Sequence, residues 1–154
     1  LLRVGQPPLP REEATAAFFE RAVAERGLSD IVCKHPYTPD ISSALAVMDV
    51  LVQTSTHEGM PNAVMEAMAM ELPVVVTAAG GTGEVVRHRE NGWIVPVGDI
   101  EGLVRGLRRV RTHPEEARTW GISARRLIER EYSLEGMVRR TESLFGDLLA
   151  KRYL

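Results

Sequence analysis

Two carboxylates in one short segment, Glu58 and Glu66, are the residues of this sequence best suited to chemistry on a ligand. They stand eight positions apart, the first in a loop after a predicted strand and the second in the helix that this loop opens. The neighbours of Glu66 on that helix are Val, Met and Ala, so the pattern predicts no polar face for its carboxylate. Because a carboxylate among apolar side chains is costly unless a partner satisfies it, we expect a polar ligand here.

The residues between the two glutamates favour the binding of a phosphate group. Pro61 suits the first turn of a helix, where its missing N–H costs nothing, and Gly59 allows a ligand to approach the backbone closely. The free N–H groups of Asn62, Ala63 and Val64 are then expected to point at the ligand, with the positive end of the helix dipole behind them. Nucleotide sugars combine a phosphate with several hydroxyl groups and would satisfy the amides and both carboxylates together.

Both glutamates also have a purely structural interpretation. Glu58 is alternatively a solvated loop carboxylate that favours the N-terminus of the helix. Glu66 is alternatively a strong helix former whose apolar stem reaches to water. The Met and Ala side chains around Glu66 are expected to pack in the core.

Strand and helix patterns alternate through the first hundred residues. Short apolar runs predict five strands, at residues 1–5, 30–34, 48–53, 73–77 and 93–95. Amphipathic segments predict helices at residues 11–26, 41–46, 61–71 and 84–88, and then at 99–111, 114–131 and 133–151. This alternation is typical of parallel sheets covered on both faces. It predicts one Rossmann-like, three-layer α/β domain over residues 1–154, with a mainly parallel sheet of about five strands and C-terminal helices.

Three of the predicted loops belong to one edge of that sheet. The loops at Pro36, Glu58 and Gly80 all follow strands, and ligands of parallel sheets bind outside the carboxyl ends of the strands. Two adjacent glycines usually form only a turn. Because Gly80 and Gly81 end a buried strand at this edge, we count them among the candidate substrate-binding residues.

The composition fits a single domain without a nucleic-acid partner. The chain has 154 residues, 44% of them hydrophobic and 26% charged, and a formal net charge of −2. No apolar run approaches the roughly 18 residues of a membrane span, and no signal-peptide pattern is present. We therefore expect a cytoplasmic protein with no integral membrane segment.

Several other chemistries lack their residues. Cys33 is the single cysteine, which excludes an internal disulfide, and its apolar strand predicts an inert core position. The four histidines have no metal-ligand spacing, and no Asp-x-Asp pair is present to hold a divalent ion on a diphosphate. We therefore expect no metal and no cofactor. The Walker, GxGxxG and Gly-x-Ser-x-Gly patterns are absent as well.

The segment 58–69 resembles the E-x7-E motif of the retaining GT-B glycosyltransferases of family GT4. The similarity continues in the family's order through residues 72–77, 80–84 and 91–96, and includes the aromatic-Ser pair at Tyr132 and Ser133. The resemblance implies the second, donor-binding domain of a two-domain GT-B enzyme. Members transfer a sugar from a nucleotide-diphosphate donor with retention of configuration and without an essential metal.

The resemblance also implies roles for the candidate residues. Glu58, the catalytic candidate, would hold hydroxyl groups of the donor sugar near the reacting carbon, and Glu66 would bind the ribose. The backbone beside Gly59 would contact the sugar and the diphosphate, at Met60, Pro61, Asn62 and Ala63. The residues near the base would be His35, Pro36 and Tyr37.

Two parts of such an active site are expected outside this sequence. The family's donor-phosphate Arg and Lys belong to a first strand-loop-helix that we expect upstream of Leu1. The N-terminal domain, which binds the acceptor (a glycan, a lipid or a small molecule), is also expected to be missing. We therefore expect the fragment alone to be inactive. Any peripheral association with the inner membrane would come through that missing domain.

The terminal segment, residues 133–154, contains the last predicted helix and carries an amphipathic stripe. Most of the stripe is expected to pack on the chain's own sheet, and residues 148–154 are expected to dock on the missing domain.

Two alternative functions share this fold: a non-catalytic nucleotide-sugar-binding partner subunit, and a GT-B-like sugar-nucleotide epimerase. The presence of both glutamates and the Gly-Gly turn favours the transferase over the first, and the GT4 motif disfavours the second.

Overall fold

The computed structural model describes residues 1–5 and 13–152, in two compact units, Leu1–Met48 and Asp49–Leu154. The predicted start of the first helix, at residues 11 and 12, lies outside the described residues. So do residues 153 and 154 of the predicted docking segment.

The Leu1–Met48 unit is a small parallel βαβ arrangement. Its elements are β1 (Leu2–Gly5), α1 (Glu13–Glu25), a 3₁₀ turn (Ser29–Ile31), β2 (Cys33–Pro36) and α2 (Ile41–Ala46). β1 and β2 pair in parallel, with Leu2 opposite Cys33. β2 starts later than predicted because the 3₁₀ turn takes up Asp30 and Ile31. The prediction that Cys33 lies in the core is wrong, because every residue of β2 is exposed.

The Asp49–Leu154 unit contains a three-stranded parallel sheet. Its strands are β3 (Leu51–Gln53), β4 (Val74–Thr77) and β5 (Trp93–Val95), and β4 lies between the other two. All four residues of β4 are buried, as expected for a central parallel strand covered on both faces. Leu51 pairs with Val74, and Val75 pairs with Trp93, so the carboxyl ends of the three strands lie at one edge.

The prediction of five parallel strands is confirmed, but they form two hydrogen-bonded sheets, of two and three strands, and not one. An apolar run predicts a strand, whereas its pairing depends on contacts between distant parts of the chain. The third strand is also shorter than predicted. It begins at Leu51 and not at Met48, because the N–H of Met48 closes the end of α2 on the carbonyl of Leu45 at 3.0 Å.

The described helices of this unit are α3 (Asn62–Ala69), α4 (Thr82–Val85), α5 (Ile100–Thr112), α6 (Pro114–Glu131) and α7 (Leu134–Arg152). Of these, α3 and α5 pack on the sheet. The side chain of Asp99 caps α5 by accepting a hydrogen bond from the N–H of Gly102 at 2.8 Å. α3 packs against α6, and both helices bury apolar residues, among them Met68 and Trp120.

The terminal helix α7 differs from its prediction. Its apolar side chains remain exposed, with Leu134 67%, Phe145 60% and Leu148 55% exposed. The expectation that most of this stripe packs on the chain's own sheet is therefore wrong. In the described part of the chain, no helix is both long and apolar enough to cross a membrane.

Candidate functional site

The loop that carries Glu58 lies in direct backbone contact with the turn at Gly80 and Gly81. The N–H of Gly81 donates a hydrogen bond to the carbonyl of Gly59 at 3.0 Å. A Cβ atom at Gly80 would lie 1.8 Å from the carbonyl oxygen of Glu58, and one at Gly81 would lie 2.5 Å from that of Gly59. Gly80 also has a φ of +51°, which favours glycine. The two predicted loops therefore meet only because both turn residues lack side chains.

The carboxylate of Glu58 is half-buried and held by two hydrogen bonds. The Nε2 of Gln53 and the Oγ of Ser55 both donate to its Oε1 atom, each at 2.6 Å. Its Oε2 atom has no hydrogen-bond partner among the described residues. Glu58 is thus an oriented carboxylate with one oxygen left for a ligand, and the interpretation as a freely solvated loop residue does not describe it.

The hydrogen bonds around Glu58 extend to the next strand. At the end of β4, the hydroxyl of Thr77 donates to the carbonyl of Ser55 at 2.6 Å, and Thr77 itself is buried. The sequence interpretation missed Gln53, Ser55 and Thr77. A polar residue ending an apolar strand and a serine three positions before a glutamate are signals that could have drawn attention to the first two.

The N-terminus of α3 offers fewer free amides than predicted. Pro61 is buried and precedes the helix, which starts at Asn62. The N–H of Asn62 is not free, because it donates to the carbonyl of Met60 at 3.0 Å. The N–H groups of Ala63 and Val64 make no hydrogen bond to any residue that the structure describes. Two of the three predicted amides therefore remain for an anion.

The predicted environment of Glu66 is wrong, because its side chain is exposed. α3 buries Val64, Ala67 and Met68, and Glu66 lies on the opposite side of the helix. The exposed side is a stripe at helical spacing, formed by Asn62, Ala63, Glu66 and Met70. Two of these four residues are Ala and Met, which hid the stripe in the sequence. Glu66 is thus accessible to a ligand, but its burial no longer argues for one.

The residues predicted near the base belong to the other unit. His35 and Pro36 are part of β2 and not of a loop, and Tyr37 follows directly, with all three exposed. The Nδ1 of His35 lies 2.8 Å from the carbonyl oxygen of Pro36.

The segment after Tyr37 ends at a helix cap. Asp40 caps α2, accepting hydrogen bonds from the hydroxyls of Ser42 and Ser43 and from the N–H of Ser43. These hydrogen bonds, chiefly those from the two hydroxyls, lower the pKa of Asp40 to about 2. Because the pKa is depressed in the folded state, the cap stabilises α2 at neutral pH. That contribution is lost as the pH falls from the ordinary value of 3.8 through about 2.

A separate cavity of about 230 Å³ lies elsewhere in the Asp49–Leu154 unit. None of the predicted site residues lines it, and its polar lining is Arg87, Glu90, Asn91, Ser123, Arg126 and Arg130. Across residues 1–5 and 13–152, no group of three or more His, Cys, Asp or Glu residues is arranged to hold a metal ion.

Solved structures share this fold over nearly the whole chain. HepE from Anabaena, solved in complex with UDP, superposes with a TM-score of 0.90 at 22% identity, covering 95% of this chain and 40% of that one. Sucrose-phosphate synthase from Thermosynechococcus elongatus gives a TM-score of 0.88 at 28% identity, covering 98% of this chain and 39% of that one. The fold is therefore that of a Rossmann-like domain of the GT-B glycosyltransferases.

Curated relatives and a family profile agree with this. The MMP alpha-(1->4)-mannosyltransferase of Mycolicibacterium hassiacum is 30% identical over 135 residues, which are 86% of this chain and 33% of that protein. The N-acetyl-alpha-D-glucosaminyl L-malate synthase of Bacillus anthracis is 28% identical over 71% of this chain and 29% of its own length. The chain thus spans about a third of the length of these relatives. The profile described as Glycosyl transferases group 1 matches residues 4–127, and the chain belongs to that family.

Proposed function

We propose that the chain is the donor-binding domain of a retaining, metal-independent glycosyltransferase of family GT4, and that it binds a nucleotide-diphosphate sugar. One observation carries the proposal: the Gly80–Gly81 turn is seated on the backbone of Glu58 and Gly59. This contact brings an oriented carboxylate to the carboxyl edge of the sheet, where ligands of parallel sheets bind. Membership of the glycosyltransferase family supports the same function.

Each part of the donor has a proposed partner. The free Oε2 of Glu58 accepts hydrogen bonds from hydroxyl groups of the sugar, and the exposed Glu66 binds the ribose. The amides of Ala63 and Val64 bind the diphosphate. They lie in the first turn of α3, and the exposed stripe that includes Ala63 also includes Glu66. That the base lies beside His35, Pro36 and Tyr37 stays a prediction of the family resemblance.

A thermal-shift screen of the chain against UDP, GDP and ADP tests this proposal. A ligand present at a hundred times its Kd stabilises the folded state by about 2.7 kcal/mol, which raises the melting temperature by several degrees. We expect one of the three nucleotides to do this, and that nucleotide then identifies the base. UDP is the first to test, because HepE was solved with it. If none of them shifts the melting temperature, the chain is not a donor-binding domain.

The substitution Glu66→Ala is expected to weaken binding of that nucleotide by about tenfold to a hundredfold, since a hydrogen bond to a charged group contributes roughly 1.5–3 kcal/mol. The free energy of unfolding should change by less than about 0.5 kcal/mol, because the side chain is exposed. Titration calorimetry and chemical denaturation measure the two effects. Glu142→Ala, at an exposed helical glutamate of α7, is the matched control and should leave the affinity unchanged. Equal affinities for both variants would contradict the ribose role.

We propose that the chain alone does not transfer sugar, because the acceptor side and the phosphate-binding Arg and Lys of the family belong elsewhere in a longer protein. Donor binding should persist in EDTA, since the proposed reaction needs no metal. A radiolabelled-donor assay with mixed glycan, lipid and small-molecule acceptors checks the first statement. Sugar transfer by the isolated chain would contradict it.

The exposed face of α7 is proposed to pack against the acceptor-binding domain of that longer protein. The chain spans about a third of the length of its curated relatives, so the relatives have further chain against which such a face can pack. Within this chain the face contributes little: Phe145→Ser should change the free energy of unfolding by less than about 0.5 kcal/mol. Chemical denaturation checks this. A large loss would mean that the face is already packed within the chain.

A further inference from the structure

We propose that Gln53 is a positioning residue that determines which carboxylate oxygen Glu58 presents to the donor sugar. The inference rests on the proposed function and adds to it a residue outside the E-x7-E segment. Gln53 ends β3, five positions before Glu58, and its Nε2 donates a hydrogen bond to the Glu58 carboxylate.

The first argument is the direction of the hydrogen bonds at Glu58. Gln53 Nε2 and Ser55 Oγ donate to the same oxygen, Oε1, at equal distances of 2.6 Å. Two donors on one oxygen fix the rotation of the carboxylate and leave Oε2 without a partner in the described part of the chain. A sugar hydroxyl would therefore meet the same oxygen, in the same orientation, in every molecule.

The second argument is an unsatisfied polar atom. The Oε1 of Gln53 is buried and has no hydrogen-bond partner among the described residues. Rotating the amide by half a turn would not help, because Oε1 would then face the oxygen of Glu58 that now accepts from Nε2. A buried carbonyl without a partner lowers the stability of the fold. Gln53 therefore costs stability, and what it provides in return is the orientation of Glu58.

The third argument is that the network has a rigid base. The carbonyl of Ser55 accepts from the hydroxyl of Thr77, which is 3% exposed at the end of the central strand. Gln53 lies on the strand paired with it, where Gln53 is opposite Val76. The two donors of Glu58 are thus anchored to the ends of two hydrogen-bonded strands, as a positioning function requires.

The test uses Gln53→Met, which keeps the length of the side chain and removes both the donor and the unsatisfied carbonyl. Calorimetry on this chain measures the affinities for UDP and UDP-glucose, and the GDP and ADP pairs if UDP does not bind. We expect the affinity for the nucleotide to stay within about twofold of that of the unsubstituted chain. The sugar's contribution, which is the ratio of the UDP-glucose affinity to the UDP affinity, should fall about tenfold. The melting temperature should be unchanged or higher, because a buried unpaired carbonyl has been removed.

A double-mutant cycle separates positioning from a structural role. In a Glu58→Ala background, Gln53→Met should have no further effect on the sugar's contribution, because the residue acts through Glu58. The inference is overturned if Gln53→Met leaves that contribution intact, if its effect persists without Glu58, or if both affinities and the melting temperature fall together. If the unsubstituted chain binds no nucleotide, the proposed function fails, and the inference with it. If the chain binds the nucleotide sugar equally well with Gln or Met at position 53, the proposed function stands and only the inference about Gln53 fails.

Discussion

Replacing Gly80 by alanine is expected to abolish donor binding and to lower the free energy of unfolding by about 2–5 kcal/mol. Two effects add. The backbone at position 80 has a φ of +51°, which strains any side chain with a Cβ, and that Cβ would lie 1.8 Å from the carbonyl oxygen of Glu58. Because the nearest atoms are backbone, the loop of Glu58 has to move away. The carboxylate then loses the position that the strand ends give it.

The neighbouring substitution Gly83→Ala is the matched control for this prediction. No atom lies within 4 Å of a Cβ built at Gly83, which is an exposed residue of α4. Its nucleotide-sugar affinity should match that of the unsubstituted chain, and its melting temperature should match or slightly exceed that of the unsubstituted chain. Calorimetry and thermal denaturation of the two variants, side by side, measure the difference. If Gly80→Ala also binds the donor normally, the loop contact does not build the site.

Gly121→Ala is expected to destabilise the Asp49–Leu154 unit through the packing of α6 against the end of α3. A Cβ at Gly121 would lie 2.0 Å from the carbonyl oxygen of Glu71, again a backbone atom that cannot rotate aside. The overpacking should cost about 1–3 kcal/mol or more, which outweighs the helix-propensity gain of alanine. Glu71 has little freedom to adapt, since its own φ is +59°. We expect the melting temperature to fall by roughly 2–10 °C.

Gly146→Ala is the matched control for Gly121→Ala, because both positions are glycines within helices. Gly146 lies in α7, is exposed, and would place its Cβ in open space. Alanine there should stabilise the helix by about 0.5–1 kcal/mol. The melting temperature should therefore fall for Gly121→Ala and rise for Gly146→Ala, although both replace a helical glycine by alanine. A rise for both would show that α6 does not press on Glu71.

The strands were predictable because a buried parallel strand is apolar along its whole length. The strand predicted at residues 73–77 differs from the observed β4 by one residue at its start. The prediction succeeded because Val74, Val75 and Val76 are β-branched and all four residues of β4 are buried. The division into two sheets was not predictable, because apolar content does not encode which strands pair. The exposure of β2 was missed for the same reason, and with it the exposure of Cys33.

The sequence predicted which segment forms the candidate site, but it did not predict the burial of its side chains or their contacts with distant residues. The position of Glu58 between strand and helix follows from local pattern alone. The exposure of Glu66 did not follow, because Ala and Met can occupy a buried or an exposed face, and periodicity weighted them as core. The seat of Gly80 on the carbonyl of Glu58 joins residues 22 positions apart, and no local pattern predicts that contact. No local pattern predicts the hydrogen bond from Thr77 to Ser55 either, which spans the same number of positions.

An amide chemical-shift titration of the isotope-labelled chain with the bound nucleotide and its sugar conjugate tests the central claim most directly. The nucleotide should shift the amides of Ala63, Val64 and Glu66, and the added sugar should shift those of Glu58 and Gly81. Shifts confined to the arginine-lined cavity at Arg87, Ser123 and Arg126 would show an anion site unrelated to a sugar donor. That result, or unchanged spectra at millimolar ligand, would contradict the assignment of the Glu58–Glu66 segment as the donor site.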